Sequence, residues 1–395
     1  MKASRANQIN PSDSPTLQEQ VSLAELALVF LKLGTLAFGG PAAHIAMMED
    51  EFVRKRHWIT HAEFLDRLAA ASLLPGPSST EVAIFIGHTK RGWVGLIVAG
   101  CCFIIPAAVL VTLIAVVYVR FGSLPKVAGI LYGIKPAVIA IILQALWNLA
   151  RTATKTMFLA VIGVIAVVLN AIGLAPLAVL AIAGIASGGW LWVKRNGSAA
   201  LAVIPLSGRF ALIAGTAAAT VSAPVSLLRL FLSFLKIGSI VFGRGYVLLA
   251  FLREEFINRL HWLSEKQLID AVAVGQFTPG PVFTTGTFIG YLVAGIPGAL
   301  AATVGIFVPG FILVALSGSL LPKLRRSALA AAILDGVVVG SLALMAVVAW
   351  QLGRASIVDW RTFCILIASA VLLLRFRVNS AWVITGAAIV GWLSQ

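Results

Sequence analysis

The segment FLKLGTLAFGG at 30–40 recurs as FLKIGSIVFGR at 234–244, and the register then holds along most of the chain. At an offset of 204 (from 30 to 234), Glu51-Phe52 meets Glu255-Phe256, His57-Trp58 meets His261-Trp262, and Asp66 meets Asp270. Pro75-Gly76-Pro77 meets Pro279-Gly280-Pro281, and Thr80 meets Thr284. One residue is then dropped. At 203 (from 85 to 288), Phe85-Ile86-Gly87 meets Phe288-Ile289-Gly290, Pro106 meets Pro309, Trp147 meets Trp350, and Arg151 meets Arg354. Rare residues kept in step over such a length make two homologous halves, 22–193 and 225–395. A connector rich in small residues, with Gly and Pro, joins them over 194–224. A polar tail, 1–21, is expected to be disordered and carries no secretory signal.

Each half must bury itself in lipid. The chain is 60% hydrophobic and 11% charged, too few charges to cover a water-exposed surface. Apolar stretches at 92–119, 127–150, 156–169 and 174–193 lie nearly end to end, and a span needs roughly 20 apolar residues. The expected fold is therefore an all-α polytopic membrane protein in contact with the lipid bilayer. The net charge of +15 fits the Lys/Arg excess of membrane loops and also suits an anionic substrate. Basic residues lie in short loops rather than one patch, which argues against nucleic acid. Cys101, Cys102 and Cys364 sit in apolar segments with no metal-ligand spacing. No metal site or cofactor is expected.

Both halves read alike. A long helix with a Gly-rich weak point comes first: Gly39-Gly40-Pro41 in one half, Gly243-Arg244-Gly245 in the other. A charged loop follows, then two short apolar pieces split by Pro-Gly-Pro, then four further spans. The pieces 63–74 and 78–88 are too short to cross a bilayer, so they read as a re-entrant helical hairpin tipped by the triplet. Each half then has about five spans. An odd number inverts the second half relative to the first, provided the connector does not cross. The short apolar segment 210–223 would make the repeats parallel if it spanned.

The triplets place helix starts at membrane depth, where irregular backbone survives only inside protein or against a wet cavity. A helix start leaves N–H groups without partners and carries positive potential. After the triplets come Ser78-Ser79-Thr80 and Val282-Phe283-Thr284-Thr285. Two such starts meeting near the midplane would cradle an oxyanion with backbone N–H and hydroxyl donors. The alternative is a simple kink capped by hydroxyls. Duplication in matching positions favours the transporter site. The expected substrate-binding residues are Pro75, Gly76, Pro77, Ser78, Ser79, Thr80, Pro279, Gly280, Pro281, Thr284 and Thr285, with the breaks Gly39, Gly40, Gly243, Arg244 and Gly245.

Charged groups extend the set. Lys32 and Lys236 are a repeat pair within the first helix of each half, able to supply field or to snorkel. Arg244 sits at a Gly-rich break. Glu81 lies one turn into the re-entrant helix, opposite Thr285 in the other half. It is the candidate for proton coupling, against a simpler role at the helix N-terminus. His44 is the second candidate, against a packing histidine. Asp66, Asp270 and the His-Trp pairs read as caps, interface anchors and loop ion pairs at the hairpin mouths.

FGGPAAHIAMM, LLPGPSSTEVAIFIG, QFTPGPVFTTGTFIGY and the duplicated F-L-K-x-G and H-W elements resemble the chromate ion transporter family in its long two-domain form. The resemblance covers nearly the whole chain. It implies a carrier of the bacterial inner membrane that exports chromate under the proton motive force, with sulfate as the look-alike ligand. Many members carry Glu directly after the first Pro-Gly-Pro. Here that position is Ser78, and Glu81 follows three residues later. The resemblance leaves room for a homo-oligomer.

Other classes fare worse. His61 and Asp66 have the H-x4-D spacing of some acyltransferases, but no nucleophile–base set or metal cluster accompanies them, so an enzyme is not expected. A passive anion channel shares every anion-binding feature. A scaffolding protein has no need of duplicated breaks at membrane depth.

Overall fold

A computed structural model describes residues 21–38, 40–121, 125–196, 225–242 and 247–394; for 42, 125–127, 196 and 318–326 it describes the backbone alone. The expected disordered tail, the segment 210–223 and the residues Gly39, Gly243, Arg244 and Gly245 lie outside the described residues. Among those described, all regular structure is helical. The first half runs α1 (Leu23–Leu36), α2 (Gly40–Glu49), a π-helical turn (Asp50–Lys55), α3 (His61–Ala71), α4 (Ser78–Phe121), α5 (Pro125–Ala153), α6 (Met157–Ala171) and α7 (Pro176–Asn196). The second repeats it as α8 (Leu227–Ile240), α9 (Leu248–Arg253), a π-helical turn (Glu254–Arg259), α10 (Glu265–Phe277), a 3-10 turn (Val282–Thr284), α11 (Thr285–Arg326), α12 (Ala328–Ser356), α13 (Trp360–Leu374) and α14 (Ser380–Leu393).

The longest helices are folded back on themselves. Arg91 (φ −139°) and Gly92 (φ +58°) interrupt α4, and Ala294 (φ −145°) and Gly295 (φ +61°) interrupt α11. Residues 87 and 95 would lie about 12 Å apart in a straight helix. Instead, a Cβ added to Gly87 would lie 2.3 Å from the Gly95 carbonyl oxygen, and one on Gly290 equally 2.3 Å from that of Gly298. The chain therefore reverses, and glycine at these positions lets the limbs touch. The limbs are α4a (78–90) and α4b (93–121), and α11a (285–293) and α11b (296–326).

Each half holds two re-entrant hairpins, where the sequence suggests one. The expected hairpin is α3 with α4a. Glu63 at its mouth caps α3 through Thr60 and lies within electrostatic reach of Lys90 at the end of α4a, so both limbs open on one face. Hydrogen bonds from Thr60 hold the Glu63 carboxyl below its usual range. The other hairpin corrects the reading of the first helix as a full span. α1 is only 14 residues long, about 21 Å, short of the ~30 Å hydrocarbon core. The chain turns at Gly40 (φ +77°) and returns through α2. Arg56 after the return limb pairs with Glu25 at the start of α1, and Phe30 packs on Phe52 with ring centroids 5.1 Å apart. Phe234 and Phe256 repeat that contact at 4.9 Å. His57 and His261 hold left-handed φ of 52° and 53° at the turns that follow, and Trp58 stacks on Phe52.

Four apolar helices complete each half, α4b to α7 and α11b to α14. The halves are inverted, and the antiparallel packing of repeat-equivalent helices shows it. Tyr132 near the start of α5 donates to Asp359, just past the end of α12, while Lys155 just past the end of α5 pairs with Asp335 near the start of α12. The hairpin mouths also lie on opposite faces. Asp270 near the mouth of the second hairpin bonds Tyr118, which lies about 38 Å along α4b from the first mouth. Four apolar helices rather than five follow the hairpins in each half; α4, α5, α7, α11 and α12 are long and apolar enough to cross a membrane, and α6, α13 and α14 are shorter. The halves are also swapped into each other: α5 packs on α14, and its counterpart α12 packs on α7.

Candidate functional site

The tips of the two Pro-Gly-Pro hairpins meet the breaks of the opposite halves. The Gly76 N–H donates to the Val241 carbonyl (2.8 Å), and the Gly280 N–H donates to the Ala37 carbonyl (2.9 Å). Glycine is needed at both tips. Gly76 has φ +134° and Gly280 φ +85°, and a Cβ on Gly280 would lie 2.6 Å from the Ala107 Cβ. The prolines on either side supply fixed φ and stop each helix. At the first tip α4 begins at Ser78, and the N–H groups of Thr80 and Glu81 turn back to the Pro77 carbonyl. The Ser78 and Ser79 N–H groups have no backbone acceptor among the described residues, and neither do those of Val282 and Phe283 at the second tip.

Glu81 sits beside this point. It is 0% exposed, and neither carboxyl oxygen has a hydrogen-bond partner. Its Cγ lies close to Gly310 of α11, and its Oε1 lies over Gly76, where an added Cβ would approach to 2.5 Å. An ionised carboxylate is costly to hold there without a partner. The Thr80 hydroxyl is also buried without a partner. His44 on α2 reaches the same place. Its Nε2 lies 3.0 Å from the Ala37 carbonyl, the acceptor of the Gly280 N–H, and its Nδ1 lies 3.3 Å from the Ser79 hydroxyl. A second-half tip, a first-half break and a first-half tip therefore share one chain of polar contacts.

The remaining expected residues are placed less uniformly. Thr284 and Thr285 are buried at the second tip, but their hydroxyls donate to the Pro281 and Val282 carbonyls, both at 2.8 Å. These bonds run back to carbonyls three residues earlier, so they leave the helix-start N–H groups uncapped and only hydroxyl lone pairs for anything else. The second α-helix starts at Thr285, after a 3-10 turn. Gly40 begins α2 at the first break. Lys32 is exposed on α1. Lys236 lies 3.2 Å from Glu255, which also accepts from Ser233 and pairs with Arg259. Neither lysine is tied to the tips.

The sequence reading missed one group. Lys135 lies in the interior of α5 and approaches Asp270 of α10 to 3.1 Å, and the Tyr118 hydroxyl donates to the same carboxylate at 2.8 Å. Asp270 is 0% exposed, so it is more than a loop residue at the mouth. The available signal was a lone lysine, before Pro136, inside an apolar span. No cluster of three or more His, Cys, Asp or Glu suited to a metal occurs among the described residues.

No solved structure matches the chain. A chromate transport protein of Cupriavidus metallidurans is 33% identical over 94% of this chain and 92% of its own length. A probable chromate transport protein of Synechococcus elongatus is 32% identical over 87% and 88%, and a chromate transport protein of Pseudomonas aeruginosa 30% identical over 98% and 96%. The profile of the chromate transporter family matches twice, at residues 24–188 and 228–392, once on each half of the fold. With two matched repeats, inverted and joined tip to break at membrane depth, this chain belongs to the chromate transporter family.

Proposed function

We propose that the chain is a secondary transporter that exports an oxyanion, chromate first, across the bacterial inner membrane under the proton motive force. Each repeat, 22–193 and 225–395, supplies one Pro-Gly-Pro tip. The anion is held between them by the free N–H groups of Ser78, Ser79, Val282 and Phe283 and the Thr80 hydroxyl, with Arg244 supplying positive charge. The curated relatives named for chromate transport support the substrate. Sulfate competes, because it is a tetrahedral dianion of similar size and a cradle of N–H donors reads shape and charge only.

The observation that carries the reading is Glu81, a buried and unpartnered carboxyl beside the unpaired N–H groups of the first tip. Carrying a dianion out of a cell that is negative inside is favoured by about 2.3 kcal/mol per charge per 100 mV. Glu81 adds a proton to that cycle, because its charge and the anion's charge oppose each other across a short distance. The test is uptake of radiolabelled chromate into proteoliposomes holding the purified chain, with the membrane potential clamped and a pH gradient imposed. Flux that follows the gradient and collapses with a protonophore supports coupling. Flux indifferent to both makes the protein a channel or uniporter, and absence of chromate flux removes the substrate assignment.

A further inference from the structure

We infer that the mouth of the second Pro-Gly-Pro hairpin is an oxyanion vestibule in which Lys135 binds the anion and Asp270 is the counter-ion that an arriving dianion displaces. The inference rests on the transport reading and names the residue that receives substrate on that face. A cavity of about 950 Å³ opens there, lined by Lys135, Lys266, Tyr118, Tyr132 and Ser356 among others. The two ammonium groups and the Ser356 hydroxyl are donors toward the cavity, while the Tyr118 and Tyr132 hydroxyls already donate to Asp270 and Asp359. The carboxylate in the lining, Glu265, is bound to Arg253.

The Lys135–Asp270 contact is incomplete as a structural pair. One Asp270 oxygen accepts from Tyr118, while the other lies 3.1 Å from the Lys135 Nζ without meeting hydrogen-bond geometry. Lys135 carries three donors, its side chain is 15% exposed, and it borders the cavity. Its charge is neutralised at rest and close enough to the cavity to be handed over. A dianion, with twice the charge of Asp270, is the natural competitor. A pin that only holds the fold would be expected in both halves. The counterparts of Lys135 and Tyr118 in the second half are Val338 and Leu321, so the device serves one face alone. Asp270 lies about 9 residues before the Pro279 tip, about 13 Å of helix, which puts the vestibule on the way to the central site.

The experiment measures half-saturation and turnover for chromate in proteoliposomes, for variants that elute as monodisperse protein. Lys135→Gln should raise half-saturation at least about tenfold, and Lys135→Arg should largely restore it. Asp270→Asn frees the lysine and should lower half-saturation while slowing turnover. The double variant Lys135→Gln/Asp270→Asn carries no unpaired buried charge, so it decides the matter if Asp270→Asn fails to fold. The inference expects it to keep the raised half-saturation. A double variant with wild-type half-saturation makes the pair a structural pin and overturns the inference, leaving the transport reading intact. If the unmodified chain carries neither chromate nor sulfate in the same liposomes, both readings fall.

Discussion

Replacing Gly280 by Ala tests whether the tip-to-break contact holds the two halves in register. Three costs add at this position. A left-handed φ of +85° is disfavoured for alanine by about 1–2 kcal/mol. The new Cβ would lie 2.6 Å from the Ala107 Cβ and 3.2 Å from the Gly34 carbonyl oxygen, an overpacking worth about 1–3 kcal/mol. Relief of that clash means backing the tip away from Ala37, which loses the Gly280 hydrogen bond at about 1 kcal/mol. Together these amount to about 3–6 kcal/mol against the docked tip. Gly295→Ala is the matched control. Its φ of +61° with ψ −150° is a conformation essentially confined to glycine, at about 1–3 kcal/mol for alanine, and nothing lies within 4 Å of the added Cβ, so only that backbone cost applies. At mid-range values the difference is about 2 kcal/mol, and 1.4 kcal/mol is tenfold. Gly280→Ala should therefore lose about thirtyfold in chromate flux relative to Gly295→Ala, at equal membrane expression. Thermal unfolding in detergent should order the two variants the same way. Adding Ala107→Gly removes the clashing atom and should recover part of the loss. Equal flux in the two single variants, or no recovery with Ala107→Gly, refutes the argument.

Glu81→Gln mimics the protonated acid and should still exchange anion, with flux that no longer responds to a pH gradient at clamped potential. Retained response places the proton carrier elsewhere, with His44 next to be tested. Single cysteines at Arg54 and Arg259, in a chain whose Cys101, Cys102 and Cys364 have been replaced, should react with an impermeant thiol reagent from opposite faces. Labelling from the same face contradicts inversion. Lys155→Ala breaks an ion pair whose side chains are 59% and 36% exposed, so it should shift stability by under about 1 kcal/mol and leave flux unchanged. A loss of flux there gives the pair a role beyond the surface.

The hairpin tipped by Pro-Gly-Pro was legible because its cause is local: two prolines and a glycine stop one helix and start the next wherever they occur. The inversion was expected from an odd span count that the structure does not keep; the antiparallel packing of α5 on α12 carries it instead. Five spans were expected, and four apolar helices with two hairpins are found in each half. The error lies at Gly39-Gly40-Pro41. A Gly-Pro break in an apolar stretch fits a kinked span and a full reversal equally well. The choice is made by contacts distant in sequence, Arg56 with Glu25 and Phe30 with Phe52. The turning of the Thr284 and Thr285 hydroxyls to the Pro281 and Val282 carbonyls was not legible, because local backbone geometry, not residue type, decides which way a hydroxyl donates. Lys135 was out of reach for another reason. Its partner Asp270 stands in the other half, and no periodicity links α5 to α10.

The swapped packing has a consequence for how the protein is made. The Gly76 N–H finds its acceptor at Val241, and α7 finds its surface on α12, so the first half leaves the ribosome with its tip and a helix face unmatched. Nothing it has synthesised by then can fill either role. The newborn first half must wait in the bilayer, held by the insertion machinery or by lipid, until the rest arrives with the opposite topology. The second half finishes the first as it forms, and α14, made after α13, closes against α5. The face of α5 is therefore covered only once α14 has been made, and a message cut short before α14 leaves that seam exposed.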